Sequence, residues 1–134
     1  MSIGHGIRTL GVLGAGQMGT GIALVVALRA KVPVLLHDRS PEQITKGLAL
    51  MDKLLAKDVA KGRISSEQSK ETRDRVSVVS GEAGVSGFRD VDMVVEVCVS
   101  LTRFRAVFYM IELLGSVGVL ATQTIYILVV CSRA

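Results

Sequence analysis

Three glycines and one acid carry the densest chemistry in this chain. Gly14, Gly16 and Gly19 stand in the spacing G-x-G-x-x-G. The apolar run Ile7 to Leu13 precedes them, and the Ala/Val/Leu-rich stretch Met18 to Ala30 follows. Strand, glycine turn and helix in that order build a phosphate cradle. The first glycine permits the tight turn, the second lets the backbone approach a pyrophosphate, and the third lets the helix pack on the strand. The segment Gly14-Ala15-Gly16-Gln17-Met18-Gly19 therefore reads as a cofactor-binding turn. Its free amides at Gln17 and Met18 face the phosphates at the positive end of the helix dipole. Asp38 lies 19 residues beyond Gly19, at the end of the apolar run Val32 to His37. A carboxylate there accepts hydrogen bonds from adenine-ribose hydroxyls and repels a 2′-phosphate, which predicts NAD over NADP. Arg39 follows directly and softens that preference. The plainer alternative is a tight strand–helix turn in which Asp38 is only a turn residue; the full context favours the cofactor.

Other reactive residue types are sparse. Cys98 and Cys131 lie 33 residues apart with no CxxC, which argues against a zinc site or a disulfide scaffold and suits a reducing, cytoplasmic compartment. Cys98 falls beside the expected cofactor cleft, where a buried inert thiol is the commoner outcome. The two histidines are His5 and His37. The formal net charge is +4, but the basic residues form no run and no nucleic-acid reading motif is present. An anionic cofactor or substrate accounts for so mild a bias. Residues 1–7 lack the basic-then-apolar pattern of a signal peptide. The ending Ser132-Arg133-Ala134 only loosely echoes a peroxisomal address.

The elements that must position these residues are legible from periodicity. A chain of 134 residues, 49% of them hydrophobic and only 4% aromatic, allows one domain with an aliphatic core. Strands are expected at Ile7 to Leu13, Val32 to His37, Val76 to Ser80 and Met93 to Val97. Ser40, Pro41 and Gln43 mark a helix start, and Ile44, Leu48, Met51, Leu55 and Val59 continue it at helical spacing. Gly62 ends that helix, and Ser65 with Gln68 opens another that runs to about Arg75. The pair makes a helical arm between strands two and three. Strand–helix alternation predicts α/β: a Rossmann-type, doubly wound parallel sheet with that arm inserted. The stretch from Gly81 to Gly87 reads as a glycine-rich loop.

At this level the residues resemble a known family. The run Gly11-Val-Leu-Gly-Ala-Gly-Gln-Met-Gly-Thr-Gly-Ile-Ala23 is similar to the opening of the 3-hydroxyacyl-CoA dehydrogenases, including the 3-hydroxybutyryl-CoA enzymes. The Leu36-His-Asp38 ending of strand two, Val59-Ala60-Lys61-Gly62-Arg63-Ile64 and Asp92-Met-Val-Val-Glu96 belong to the same pattern. The resemblance spans about residues 7 to 97. It implies a two-domain enzyme that oxidises the 3-hydroxyl of an acyl-CoA, passing hydride to NAD. It further implies that the arm touches the CoA nucleotide, with Lys61 as the candidate contact; a solvated lysine near a helix end is the commoner role for such a residue.

Departures from that pattern lie beyond strand four. The family continues Glu-Ala-Val-x-Glu and then places a lysine near the nicotinamide; here Ser100 replaces the second glutamate and Arg105 falls at the lysine position. Arg105 keeps the charge but not the geometry. The family's Asn-Thr-Ser-Ser has only Gln123-Thr124-Ile125-Tyr126 as a counterpart, so Ile125 replaces the substrate-orienting serine. The base that removes the hydroxyl proton, a histidine paired with glutamate, has no counterpart, since neither His5 nor His37 falls at that place. No catalytic residue is assigned, and the expectation is a domain that binds NAD without turnover on its own.

From Cys98 to Ala134 only Arg103, Arg105, Glu112 and Arg133 are charged. This composition break suggests that residues 98–134 are an atypical apolar segment of a truncated or alternatively ended chain, arising from an altered reading frame or retained non-coding sequence. A helix is expected around Thr102 to Leu114, a strand around Val117 to Thr122, and an apolar tail after it. The 19 uncharged residues Leu113 to Cys131 are long enough to graze a bilayer span, but Gly115, Gly118 and the polar Thr122-Gln123-Thr124 fit two buried strands better. A different class of reading is a non-catalytic interaction module, self-associating, pairing with a full-length subunit or tethered through that tail.

Overall fold

The computed structural model describes residues 6–79 and 86–98 and the two strands at 117–122 and 125–131. Four strands follow the expected parallel pattern: β1 (Leu10–Leu13), β2 (Val34–His37), β3 (Val76–Val78) and β4 (Met93–Cys98). β1 lies between β2 and β4, and β3 pairs with β2, all in parallel. Two further strands, β5 (Val117–Thr122) and β6 (Ile125–Cys131), complete the order β3-β2-β1-β4-β6-β5.

That last pair departs from a wholly parallel sheet. β6 runs antiparallel to both β4 and β5. Only two residues separate Thr122 from Ile125, far fewer than a parallel crossover needs, so β5 and β6 are neighbours of opposite direction. Within the apolar tail expected after Thr122, Ile125–Cys131 is thus a strand, and the uncharged stretch holds two short strands, β5 and β6. Among the described residues, no helix is long and apolar enough to cross a membrane. The helix expected at Thr102 to Leu114 lies outside the described residues, as do Gly81 to Val85 of the glycine-rich loop.

Alternating side chains split the sheet into two apolar faces, as strand geometry requires. Leu10, Val12, Val34, Leu36 and Val95 pack beneath the helices. Leu13, Leu35 and Val94 face Phe88 and Val91 on the other side. Helix α1 (Gln17–Val25) runs on through a π-helical stretch, Val26–Ala30, and stops at Lys31 in the left-handed region, φ 55°. Helix α2 (Pro41–Ala60) starts where the sequence marks it: the Ser40 hydroxyl accepts from the Gln43 amide at 3.4 Å, with Pro41 in the first turn. It buries Ile44, Gly47, Met51 and Leu55, one face at helical spacing. Gly62, φ 69°, turns the chain out of it. Helix α3 (Ser66–Asp74) opens on a full capping box: Gln68 N–H donates to Ser65 Oγ at 3.1 Å and Ser65 N–H to Gln68 Oε1 at 3.0 Å. Arg73 Nε bonds Asp52 Oδ1 at 2.8 Å and ties α3 to α2.

Candidate dinucleotide-binding site

The carboxyl ends of β1, β2 and β4 converge, because Leu13 is level with His37 on one side and Glu96 on the other. In an open α/β sheet this crevice is where ligands bind. The glycine turn emerges into it. Gly14 takes φ 112°, a conformation that L side chains rarely adopt, and its amide donates to His37 O at 2.8 Å. A Cβ there would stand 2.6 Å from Val97 O, so β4 closes over the turn from behind. A Cβ at Gly19 would fall on Gly14 O, which is why α1 can start so close to β1.

Gly16 differs from both. Nothing lies within 4 Å of a Cβ built on it, and the residue is exposed. It is the N-cap of α1 with no side-chain cap. The first helical bond is Thr20 N–H to Gly16 O at 2.9 Å. The amides of Gln17, Met18 and Gly19 precede it and have no acceptor inside the helix. Open space at Gly16, beside unspent donors of a helix N-terminus, fits an anionic oxygen cluster.

Asp38 lies at the rim of this space. Its Oδ2 accepts from the Ala15 amide at 2.9 Å and its Oδ1 from the Ser40 amide at 2.9 Å. One carboxylate therefore joins the end of β2, the glycine turn and the cap of α2. Each oxygen keeps lone pairs for a further donor.

The structure thus brings Gly14, Ala15, Gly16, Gln17, Met18, Gly19 and Asp38 together. It does not bring Lys61 to them. Lys61 is the exposed C-cap of α2, and the 20 residues of that helix span about 30 Å from its start beside Asp38. Arg105, Ser100, His5 and the pair Gln123-Thr124 lie outside the described residues. Cys98 ends β4 and Ile125 begins β6. His37 is a strand-end residue: its Nδ1 is 2.7 Å from Val79 O, and its ring meets Phe88 edge-on. Two residues of the site were not singled out from sequence, Thr20 and Gly47. A glycine inside a strong helical pattern, where it costs about 1 kcal/mol against alanine, was the available signal for Gly47.

The fold and the turn define an α/β dinucleotide-binding domain. Residues 9–129 match the family model of the 3-hydroxyacyl-CoA dehydrogenase NAD-binding domain, and the chain belongs to that family. It is 38% identical over 93 residues to a 3-hydroxybutyryl-CoA dehydrogenase of Bradyrhizobium diazoefficiens, covering 69% of this chain and 30% of that protein. It is 35% identical over 103 residues to a fatty acid oxidation complex subunit alpha of Pseudomonas entomophila, covering 77% of this chain and 14% of that one. Among solved structures, the 3-hydroxybutyryl-CoA dehydrogenase of Escherichia coli superposes with a TM-score of 0.69 at 29% identity, over 78% of this chain and 22% of the other. The (S)-3-hydroxybutyryl-CoA dehydrogenase of Ralstonia eutropha gives 0.68 at 26% identity, over 84% and 38%. The chain spans less than a third of the length of the curated relatives it matches, and the matching part is their NAD-binding domain.

Proposed function

We propose that this NAD-binding domain holds its cofactor at the Gly14–Gly19 turn and serves the oxidation of a 3-hydroxyacyl-CoA. The observation that carries the reading is the open face of Gly16 at the N-terminus of α1, where the first amides lack helical acceptors, with Asp38 bonded to the neighbouring Ala15 amide. The backbone of Gly14 to Gly19 receives the pyrophosphate. Asp38 accepts from the adenine-ribose hydroxyls, and its charge disfavours a 2′-phosphate, so NAD is preferred over NADP. Bound NAD supplies the hydride acceptor.

The nicotinamide end is assigned to Arg105 and the CoA nucleotide to Lys61, both by family resemblance. Proton removal from a hydroxyl needs a positioned base. Of the two histidines of the sequence, His37 is held against Val79 O at the adenosine side of the site. Among the described residues none is placed to act as that base, so these residues account for NAD binding and not for the proton transfer.

Calorimetric titration of the chain with NAD and NADP, alongside an NADH absorbance assay with 3-hydroxybutyryl-CoA, tests this. The expected outcome is NAD binding that exceeds NADP binding, with no turnover. Asp38→Ala is expected to narrow the NAD-to-NADP ratio, and Lys61→Ala to weaken CoA binding while leaving NAD unchanged. Turnover by the purified chain overturns the non-catalytic reading. An absence of NAD binding leaves an interaction module.

A further inference from the structure

We infer that Thr20 and Gly47 are positioning residues that aim the Gly16 amide at the cofactor's phosphates, and that through them the helical arm sets the geometry of the turn. The inference rests on the reading of the turn as the phosphate site. It starts from the Ala15 peptide. Ala15 is buried, and its N–H is held by Asp38 Oδ2 at 2.9 Å. Its carbonyl is held from the other side: Thr20 Oγ1, fully buried, donates to Ala15 O at 3.2 Å.

The peptide joining Ala15 to Gly16 is planar and trans, so its C=O and N–H point in opposite directions. Fixing Ala15 O inward, against Thr20, fixes the Gly16 N–H outward. Gly16 is exposed and faces open space. The buried hydroxyl thus determines where an exposed donor points. A purely local turn has no such constraint, since a glycine on one side of the peptide leaves the plane free to rotate.

Gly47 supplies the other half. It lies in the middle of α2, on the buried face. A Cβ there would come 2.6 Å from Thr20 Oγ1 and 2.8 Å from Ala15 O. Both distances are too short for a side chain, so α2 rests on the two atoms that fix the peptide. Neither atom can retreat: Thr20 is fully buried, and the Ala15 backbone is tied to Asp38. The arm and the turn therefore meet at one point, and a shift of α2 is passed to the Gly16 amide.

Three variants of the full chain test this: Thr20→Val, which keeps the shape and removes the hydroxyl; Thr20→Ser, which keeps the hydroxyl; and Gly47→Ala. Ligand-detected NMR with ADP and with adenosine separates phosphate binding from nucleoside binding. Thr20→Val and Gly47→Ala are expected to weaken ADP by roughly three- to tenfold, the worth of one hydrogen bond, while adenosine stays within about twofold. Thr20→Ser is expected to bind like the parent. Amide exchange of the ligand-free chain gives a readout independent of any nucleotide. Ala15 protection is expected to fall by about tenfold in Thr20→Val and Gly47→Ala and to persist in Thr20→Ser. Equal losses for ADP and adenosine would reduce both residues to general structural supports. Unchanged Ala15 protection would overturn the inference even where nucleotide binding is intact. If the parent chain fails to bind ADP, the phosphate-site reading falls, and the aiming role with it.

Discussion

The glycine turn and the helical arm touch, yet they are held in opposite ways. The turn is fixed by backbone contacts with no spare room: Gly14 against Val97 O, Gly19 against Gly14 O, and Ala15 between Asp38 and Thr20. The arm buries one apolar face of α2, with Ile44, Met51 and Leu55 in the core, and otherwise carries exchangeable surface interactions. Lys46–Glu42, Arg63–Asp58, Arg73–Asp52 and Arg75–Glu71 all involve exposed or half-exposed groups. Each such pair contributes at most about 1 kcal/mol, screened further by salt. At Gly14 and Gly19 the turn therefore fails on the addition of a single carbon. The arm tolerates the loss of any one of these surface pairs, but not an added carbon at Gly47, where it meets the turn.

Substitutions that probe this contrast rank by their effect on stability. Gly19→Ala should be the most damaging. Its methyl falls on Gly14 O, inside a fixed backbone, and overpacking of this kind costs more than about 3 kcal/mol. Chemical denaturation should show a large fall in midpoint; a near-parental midpoint would mean that the turn yields more easily than its contacts imply. Ser65→Ala on the arm removes one side of a complete capping box and should cost about 1 kcal/mol, read in the same assay. Arg73→Ala removes the link from α3 to Asp52 and should cost less than about 1 kcal/mol, with the difference shrinking in high salt. Gly16→Ala should change stability least, by about 0.5 kcal/mol or less, because nothing occupies the space its methyl enters. The same methyl occupies open space at the N-terminus of α1, where the phosphates are proposed to sit, so NAD affinity should still drop by about tenfold or more, equivalent to roughly 1.4 kcal/mol. Calorimetry reads that loss, and parental NAD affinity in Gly16→Ala would move the phosphates away from this face.

A second contrast, within the sheet, shows what was legible from residues alone. β1 to β4, α2 and α3 appear where period and capping residues put them. Ser65 with Gln68 marks a helix start to the residue because both partners lie within one turn of chain. The β5–β6 hairpin was less legible. Val, Ile and Leu in Ile125–Cys131 serve a buried strand of either direction equally well, and its antiparallel pairing with β4 joins segments about 30 residues apart. Composition records that a strand is apolar; it does not record which neighbour it meets.

Residue types and spacing alone placed the glycine turn, the acid that follows it and the parallel strands along the chain. Those features depend on short-range spacing, and short-range spacing is written directly in the chain. Only the tertiary structure decided what each residue of the turn does. Asp38 meets Ala15 across 23 positions, and Gly47 on a later helix lies against Thr20 on an earlier one. Such contacts arise when β2 lands beside β1 and α2 packs on α1. Their distances are set by that packing, so three glycines of similar sequence context divide into two that exclude every added atom and one, Gly16, that faces open space.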